Sequence, residues 1–173
     1  YSLLLCNSNG DIVKEKNYVR VLMEKGVDGV ILDSSEPDCD CQVELLEHNG
    51  LPFVLLDRLI EGGVKRFGVV VDNRQGARLA VEHLASRDAC SLFFLNGPAE
   101  LSQSMLRRAG VEEVWREKAL PAAALRILSG DYSVEGAYQL TREILDQAEP
   151  GELPFTALFA GNDLMAVGAL RAL

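Results

Sequence analysis

Short apolar runs and longer amphipathic stretches alternate along the chain. The strand-like runs are residues 2–6, 29–32, 53–56, 67–71, 92–95, 125–128 and 157–160, rich in Val, Ile, Leu and Phe and bounded by polar residues. In residues 11–25, Ile12, Val19, Leu22 and Met23 recur at helical spacing, and Gly26 follows where a C-terminal cap sits. Residues 41–48 give a short helix carrying Val43, Leu45 and Leu46, stopped by Asn49-Gly50. Residues 73–86 place Ala77, Ala80, Val81 and Leu84 on one face, with Asp72 or Asn73 as the N-cap. Residues 101–118, 133–147 and 162–173 supply the later helices.

Strands that alternate with helices, and that carry apolar residues at consecutive positions, imply parallel sheets covered on both faces by crossover helices. The class is α/β, doubly wound. A lobe boundary is expected near residues 86–91, dividing the chain into lobes 1–88 and 89–173. In open parallel sheets a ligand sits outside the carboxyl ends of the strands. Those ends read Asn7-Ser8, Asp33-Ser34-Ser35, Asp57-Arg58, Asp72-Asn73, Asn96-Gly97, Asp131-Tyr132 and Asn162-Asp163. Amides, carboxylates and hydroxyls at every exit suit a polyhydroxylated ligand. The same residue types also serve as helix N-caps and turn formers, which is the competing explanation for each position taken singly.

Composition narrows the function. With 173 residues, 48% hydrophobic and 25% charged, the chain has the balance of a soluble globular protein. Its formal charge of −9, with no basic stripe, repels a phosphate backbone, so this piece is not expected to bind DNA by itself. No apolar run is long enough to cross a bilayer, and the start at Tyr1 does not read as a signal peptide. The four cysteines, Cys6, Cys39, Cys41 and Cys90, are too few for a disulfide scaffold. Cys6 and Cys90 adjoin apolar runs, which suggests buried thiols in a reducing compartment.

The order of the motifs resembles the effector-binding domain of the LacI/GalR family over nearly the whole chain. The pieces are Tyr1-Ser2-Leu3-Leu4-Leu5-Cys6, Gly26-Val27-Asp28-Gly29-Val30-Ile31-Leu32, Leu51-Pro52-Phe53-Val54-Leu55-Leu56-Asp57-Arg58, and Val71-Asp72-Asn73-Arg74-Gln75-Gly76-Ala77. Asn96-Gly97-Pro98, Arg107-Arg108-Ala109-Gly110, Gly130-Asp131-Tyr132 and the run from Ala160 to Leu170 follow. The resemblance implies two doubly wound parallel-sheet lobes of the type I periplasmic-binding-protein kind, incomplete at both termini, closing on a sugar or sugar phosphate. It also implies that Asp57 accepts hydrogen bonds from ligand hydroxyls with Asp33 as helper, that Arg107 grips the ligand, and that Tyr132 stacks on it. Asn162 is the amide at the strand-to-helix turn, and Leu101 and Gln103 lie on the loop that shapes the pocket. The chain departs from the family pattern at Arg87-Asp88-Ala89-Cys90, at Val111 after the arginine motif, and at Met105, where a second arginine usually stands.

The implied partners are a small-molecule effector, a second copy in a homodimer, and operator DNA reached only through a helix-turn-helix domain that this chain lacks. The dimer interface would include the segment near Leu5 to Asn7 and the helix after Asn162. No membrane partner and no cofactor is implied, and the expected location is cytoplasmic. A periplasmic sugar-binding protein of a transporter shares the fold and is the alternative. Without the terminal segments, the sheets are expected to be less fully buried and to expose unpaired edges. Cys39-x-Cys41 with His48 invites a zinc site, but such a site needs four ligands and usually wider spacing. His48 and His83 have no nucleophile motif beside them, and no phosphate-cradling loop appears, so catalysis is not expected.

Overall fold

The computed structural model describes residues 2–34, 40–57, 66–87, 89–148 and 153–173. The chain divides into two compact units, Tyr1–Val71 and Asp72–Leu173.

The first unit is built from α1 (Ile12–Glu24), β1 (Val30–Leu32), α2 (Asp40–His48), β2 (Phe53–Leu56) and β3 (Gly68–Val69). Its parallel strands lie in the order β1-β2-β3. Asp11 starts α1 by accepting from the backbone N–H groups of Val13 and Lys14, which otherwise have no intrahelical partner. Gly26 ends it with a positive φ of 66° that a residue with a Cβ adopts only at a cost. There the N–H groups of Gly26 and Val27 reach back to the carbonyls of Met23 and Leu22.

Val30, Leu32 and Leu55 point to one face of the sheet and pack with Val19, Val43 and Leu46 of the helices. Ile31, Val54, Leu56 and Val69 share the opposite face by register, and all four are exposed, Ile31 at 73%. Helices are expected on both faces; among the described residues this sheet is covered on one. Residues 2–6 also depart from expectation, since they form no strand. Leu3, Leu4 and Leu5 are exposed, and an apolar run becomes a strand only where a neighbour takes up its backbone N–H and C=O groups.

The second unit contains α3 (Asn73–Ser86), β4 (Leu92–Asn96), α4 (Ser102–Glu117), β5 (Leu125–Ser129), α5 (Val134–Leu145), β6 (Ala157–Ala160) and α6 (Asp163–Ala172). Its parallel sheet runs β5-β4-β6, and every residue of β4 is buried. One helix layer packs Ala77 and Val81 of α3 and Val111, Val114 and Trp115 of α4 on Leu92 and Phe94. The other packs Ala137 and Ile144 of α5 and Met165 and Ala169 of α6 on Phe93 and Leu95. Gly110 lets α4 approach α3, because a Cβ there would lie 2.3 Å from the Arg74 carbonyl oxygen. The expected division after residue 88 therefore differs from the compact one, which falls before Asp72: α3 shares its apolar face with α4 and goes with the second unit.

An ion-pair network reinforces the α3–α4 contact on the outside. Arg78 donates to Glu117 at 2.7 and 2.9 Å and to Glu113 at 3.3 Å, while Arg74 also bonds Glu113. Hydrogen bonds from Arg74 to Glu113 and from Arg78 to Glu117 hold both carboxyls below the usual glutamate range. A depressed folded pKa contributes stability above the unfolded value and loses it as pH falls through the folded one. The second unit should therefore lose stability progressively below the ordinary glutamate pKa of 4.5. Urea midpoints measured from pH 7 to pH 3 should show a shallower acid decline in the Glu113→Gln, Glu117→Gln variant.

A second expectation comes from the end of α4. There Ala119 takes the position that Gly26 takes in α1, with φ at 52°. Its N–H and that of Leu120 bond the carbonyls of Arg116 and Trp115. Left-handed backbone costs a non-glycine residue about 1–2 kcal/mol, partly offset by the greater freedom of glycine in the unfolded chain. Ala119→Gly should therefore raise stability by roughly 0.5–1 kcal/mol, read as a higher denaturation midpoint.

Candidate functional site

In the second unit the loops after β4, β5 and β6 leave from the same end of the sheet, as parallel pairing requires. They present Asn96-Gly97-Pro98, Gly130-Asp131-Tyr132 and Gly161-Asn162. Arg107, on α4, is half-buried and reaches across to them. Its Nε donates to Asn73 Oδ1 at 2.8 Å, and its Nη1 donates to Tyr132 Oη at 3.2 Å and to the Gly161 carbonyl at 2.9 Å. Its Cζ lies 6.0 Å from the Tyr132 ring centroid. Every one of these acceptors is neutral, whereas Arg66, Arg74, Arg78, Arg108 and Arg142 all meet carboxylates. Arg107 therefore keeps an uncompensated charge within its immediate bonds.

Tyr132 holds a left-handed backbone with φ at 62°, and its hydroxyl pairs with the buried Ser104 Oγ at 2.8 Å. Its ring lies against Gly97, where a Cβ would come within 2.0 Å of Tyr132 Cζ. Asn162 caps α6 by accepting from Met165 N at 2.8 Å, and its Nδ2 donates to the Tyr132 carbonyl at 3.3 Å. Asp131 accepts from the Ser133 hydroxyl and backbone N–H, which hold its carboxyl below the usual range. Asn96 is 2% exposed and gives Nδ2 to the Ser104 carbonyl, while its Oδ1 is the buried side-chain atom left without a partner among the described residues.

The structure thus brings Arg107, Tyr132 and Asn162 into one bonded cluster. Leu101 and Gln103 are both buried at the start of α4, Leu101 in the cap position and Gln103 in the first turn. Asn73, Asn96 and Ser104 belong to the same neighbourhood; Asn73 and Asn96 stand at strand exits picked out in the sequence without an individual role, and Ser104 was not expected. Ser104 carried a readable signal: it precedes Arg107 by three positions, one turn of helix away on the same face.

Asp33 and Asp57 stand at the exits of β1 and β2 in the first unit. Asp33 is exposed; Asp57 has φ at 62°, and its backbone N–H donates to the Val69 carbonyl at 2.8 Å. The same end of this unit holds a buried polar group that the sequence reading missed. Glu15 Oε1 accepts from Ser34 Oγ at 2.8 Å and from Gln42 Nε2 at 3.0 Å, tying α1 to the exit of β1 and to α2. The signal lay in the spacing, because Glu15 falls on the same helical stripe as Ile12, Val19 and Leu22.

Cys6, Cys41 and Cys90 are free and exposed, against the expected burial of Cys6 and Cys90, because neither lies within a buried strand. Cys39 lies outside the described residues. Among the described residues no group of three or more His, Cys, Asp or Glu side chains is placed to hold a metal. A cavity of about 460 Å³ lies beside α4 and β5, lined by Trp115, Leu120, Leu125 and Ile127 with Arg108 and Arg116; no expected site residue lines it.

Residues 1–173 match the family described as periplasmic binding proteins and sugar binding domain of LacI family. The chain belongs to this family. The ribose operon repressor of Halalkalibacterium halodurans is 31% identical over 172 residues, covering 99% of this chain and 48% of that protein. The HTH-type transcriptional repressor PurR of Haemophilus influenzae is 33% identical over 175 residues, covering all of this chain and 50% of that protein. This LacI-family chain therefore spans about half the length of the curated relatives it matches. A solved LacI-family regulator from Enterococcus faecium with bound ribose is 31% identical, with a TM-score of 0.72, over 91% of this chain and 56% of that one. Two structures below 25% identity share the fold. The Cra regulator of Pseudomonas putida with fructose 1-phosphate has a TM-score of 0.85 at 24% identity, over 99% of this chain and 62% of that one. A periplasmic solute-binding protein of Actinobacillus succinogenes with D-allose has a TM-score of 0.80 at 23%, over 99% and 61%.

Removing the Glu15 carboxylate should destabilise the first unit, because Ser34 and Gln42 lose a charged acceptor in a buried place. Glu15→Ala should cost about 1.5–3 kcal/mol by chemical denaturation, and Glu15→Gln, which keeps one carbonyl oxygen, should cost less.

Proposed function

We propose that this chain is the effector-sensing part of a LacI-type transcription regulator, that its effector is a sugar or sugar phosphate, and that it is not an enzyme. The observation that carries the reading is the Arg107 guanidinium, held by neutral acceptors only at the exits of β5 and β6 and the start of α3, in a chain of this family. A planar cation in that setting offers directed donors to hydroxyl, carboxylate or phosphate oxygens. We assign ligand recognition to Asp33 and Asp57 of the first unit and to Leu101, Gln103, Arg107, Tyr132 and Asn162 of the second. Ligand that favours one conformational state shifts the population toward it by its differential affinity. The shift reaches operator DNA through a helix-turn-helix domain of the whole regulator, acting as a homodimer in the cytoplasm. DNA contact by this chain itself is disfavoured by its charge of −9. No helix among the described residues is long and apolar enough to cross a membrane.

A solute-binding protein is the second reading, supported by the fold shared with the D-allose-bound protein. The curated relatives near 30% identity are repressors, which favours the first. Calorimetry with ribose, fructose 1-phosphate and a purine base tests the reading: one of the two sugars should bind and the purine should not, and Arg107→Ala should weaken sugar binding by on the order of 100-fold, as expected for loss of a charged partner. Unchanged affinity in that variant would remove Arg107 from the site. In the full-length protein the same ligand should alter operator affinity in a mobility-shift assay.

A further inference from the structure

We infer that Tyr132 is a positioning residue, whose phenol oxygen holds the Arg107 guanidinium in its ligand-facing orientation. This goes beyond an aromatic surface for stacking, and it rests on the ligand-sensing reading of the same site. Tyr132 is held at three points. Its ring lies on Gly97, where nothing larger than hydrogen fits, its carbonyl accepts from Asn162 Nδ2, and its hydroxyl pairs with Ser104 Oγ. Its backbone occupies the left-handed region, which a tyrosine adopts only where its surroundings compel it.

The oxygen fixed in this way accepts from Arg107 Nη1, while Asn73 accepts from Nε and the Gly161 carbonyl also accepts from Nη1. Two of the three guanidinium nitrogens are thereby occupied, and Nη2 has no partner among the described residues. A guanidinium held at Nε and at Nη1, which lie on opposite sides of its long axis, is fixed in plane and presents Nη2 in a single direction, which lowers the ordering cost of ligand binding. The choice of tyrosine follows from this arrangement. Phenylalanine would supply the same ring for stacking but would leave Nη1 with one acceptor and strip Ser104, which is fully buried, of its hydroxyl partner. Because all three anchors are neutral, the charge of Arg107 is oriented without being cancelled.

The test is Tyr132→Phe in the whole chain, read by nitrogen-15 NMR of the arginine side chains and by calorimetry. In the parent, the Arg107 Nη groups should give separate signals, as restrained rotation requires. In Tyr132→Phe, folded but with a lowered melting temperature because Ser104 loses its partner, these signals should merge. Affinity for whichever of ribose and fructose 1-phosphate the parent binds should fall about tenfold, the lower end of what a hydrogen bond involving a charged group contributes. Unchanged Arg107 signals, or unchanged affinity, would overturn the positioning role in favour of stacking. If neither sugar binds the parent, the ligand reading fails, while the guanidinium signals still decide the role of the phenol. Should Tyr132→Phe not fold, Ser104→Ala is read by the same signals: merging supports the role and unaltered signals overturn it.

Discussion

The burial of β4 is the constraint on which the second unit depends. Its five residues, Leu92–Asn96, are all shielded, with β5 and β6 on its edges and a pair of helices on each face. A strand buried on both faces can be apolar at consecutive positions, and Phe93 and Phe94 pack into opposite layers because successive side chains alternate. Parallel pairing on both edges then sends all three strands out at one end. Asn96 ends β4 there, and Tyr132 and Asn162 follow β5 and β6, so the cluster around Arg107 is a consequence of sheet topology before it is one of side-chain chemistry.

The two units manage their apolar surface differently. In the second, helices cover both faces, and the close approaches are made by glycines: Gly110 under the Arg74 carbonyl and Gly168 under that of Val134. In the first, α1 and α2 cover one face, and Ile31, Val54, Leu56 and Val69 lie open on the other. A contiguous apolar face of that kind forfeits the burial that stabilises a doubly wound sheet, roughly 25 cal/mol for each Å² left in water. What stiffens the covered side is partly polar, the buried Glu15 with Ser34 and Gln42.

Charge is handled by place. On the outer surface of α3 and α4, arginines and glutamates neutralise one another, and exposed pairs of that kind contribute little individually. At the strand exits, Arg107 meets an amide, a phenol and a carbonyl, which fix its direction and leave its charge available. The difference separates arginines that fasten α3 to α4 from one on α4 whose bonds are all to neutral groups.

Much of this was legible in the residues. The alternation of strand and helix, the Asp11 and Asp72 caps and the Gly26 stop follow from spacing and local hydrogen bonding, which act within a few positions of the chain. Arg107, Tyr132 and Asn162 were readable as candidates from motif order. Other features depend on neighbours distant in sequence. Residues 2–6 have the composition of a strand and find no ladder among the described residues, and α3 belongs with α4 because their apolar stripes meet. Glu15 is buried because Ser34 and Gln42 converge on it, and Tyr132 touches Arg107 because β5 and β6 flank β4. Sequence by itself determined the helices, the strand order from β1 to β6 and which polar groups stand at their ends, since those are largely short-range matters of periodicity and capping. Tertiary structure alone decided which of those groups bond one another, because that depends on which strands lie side by side.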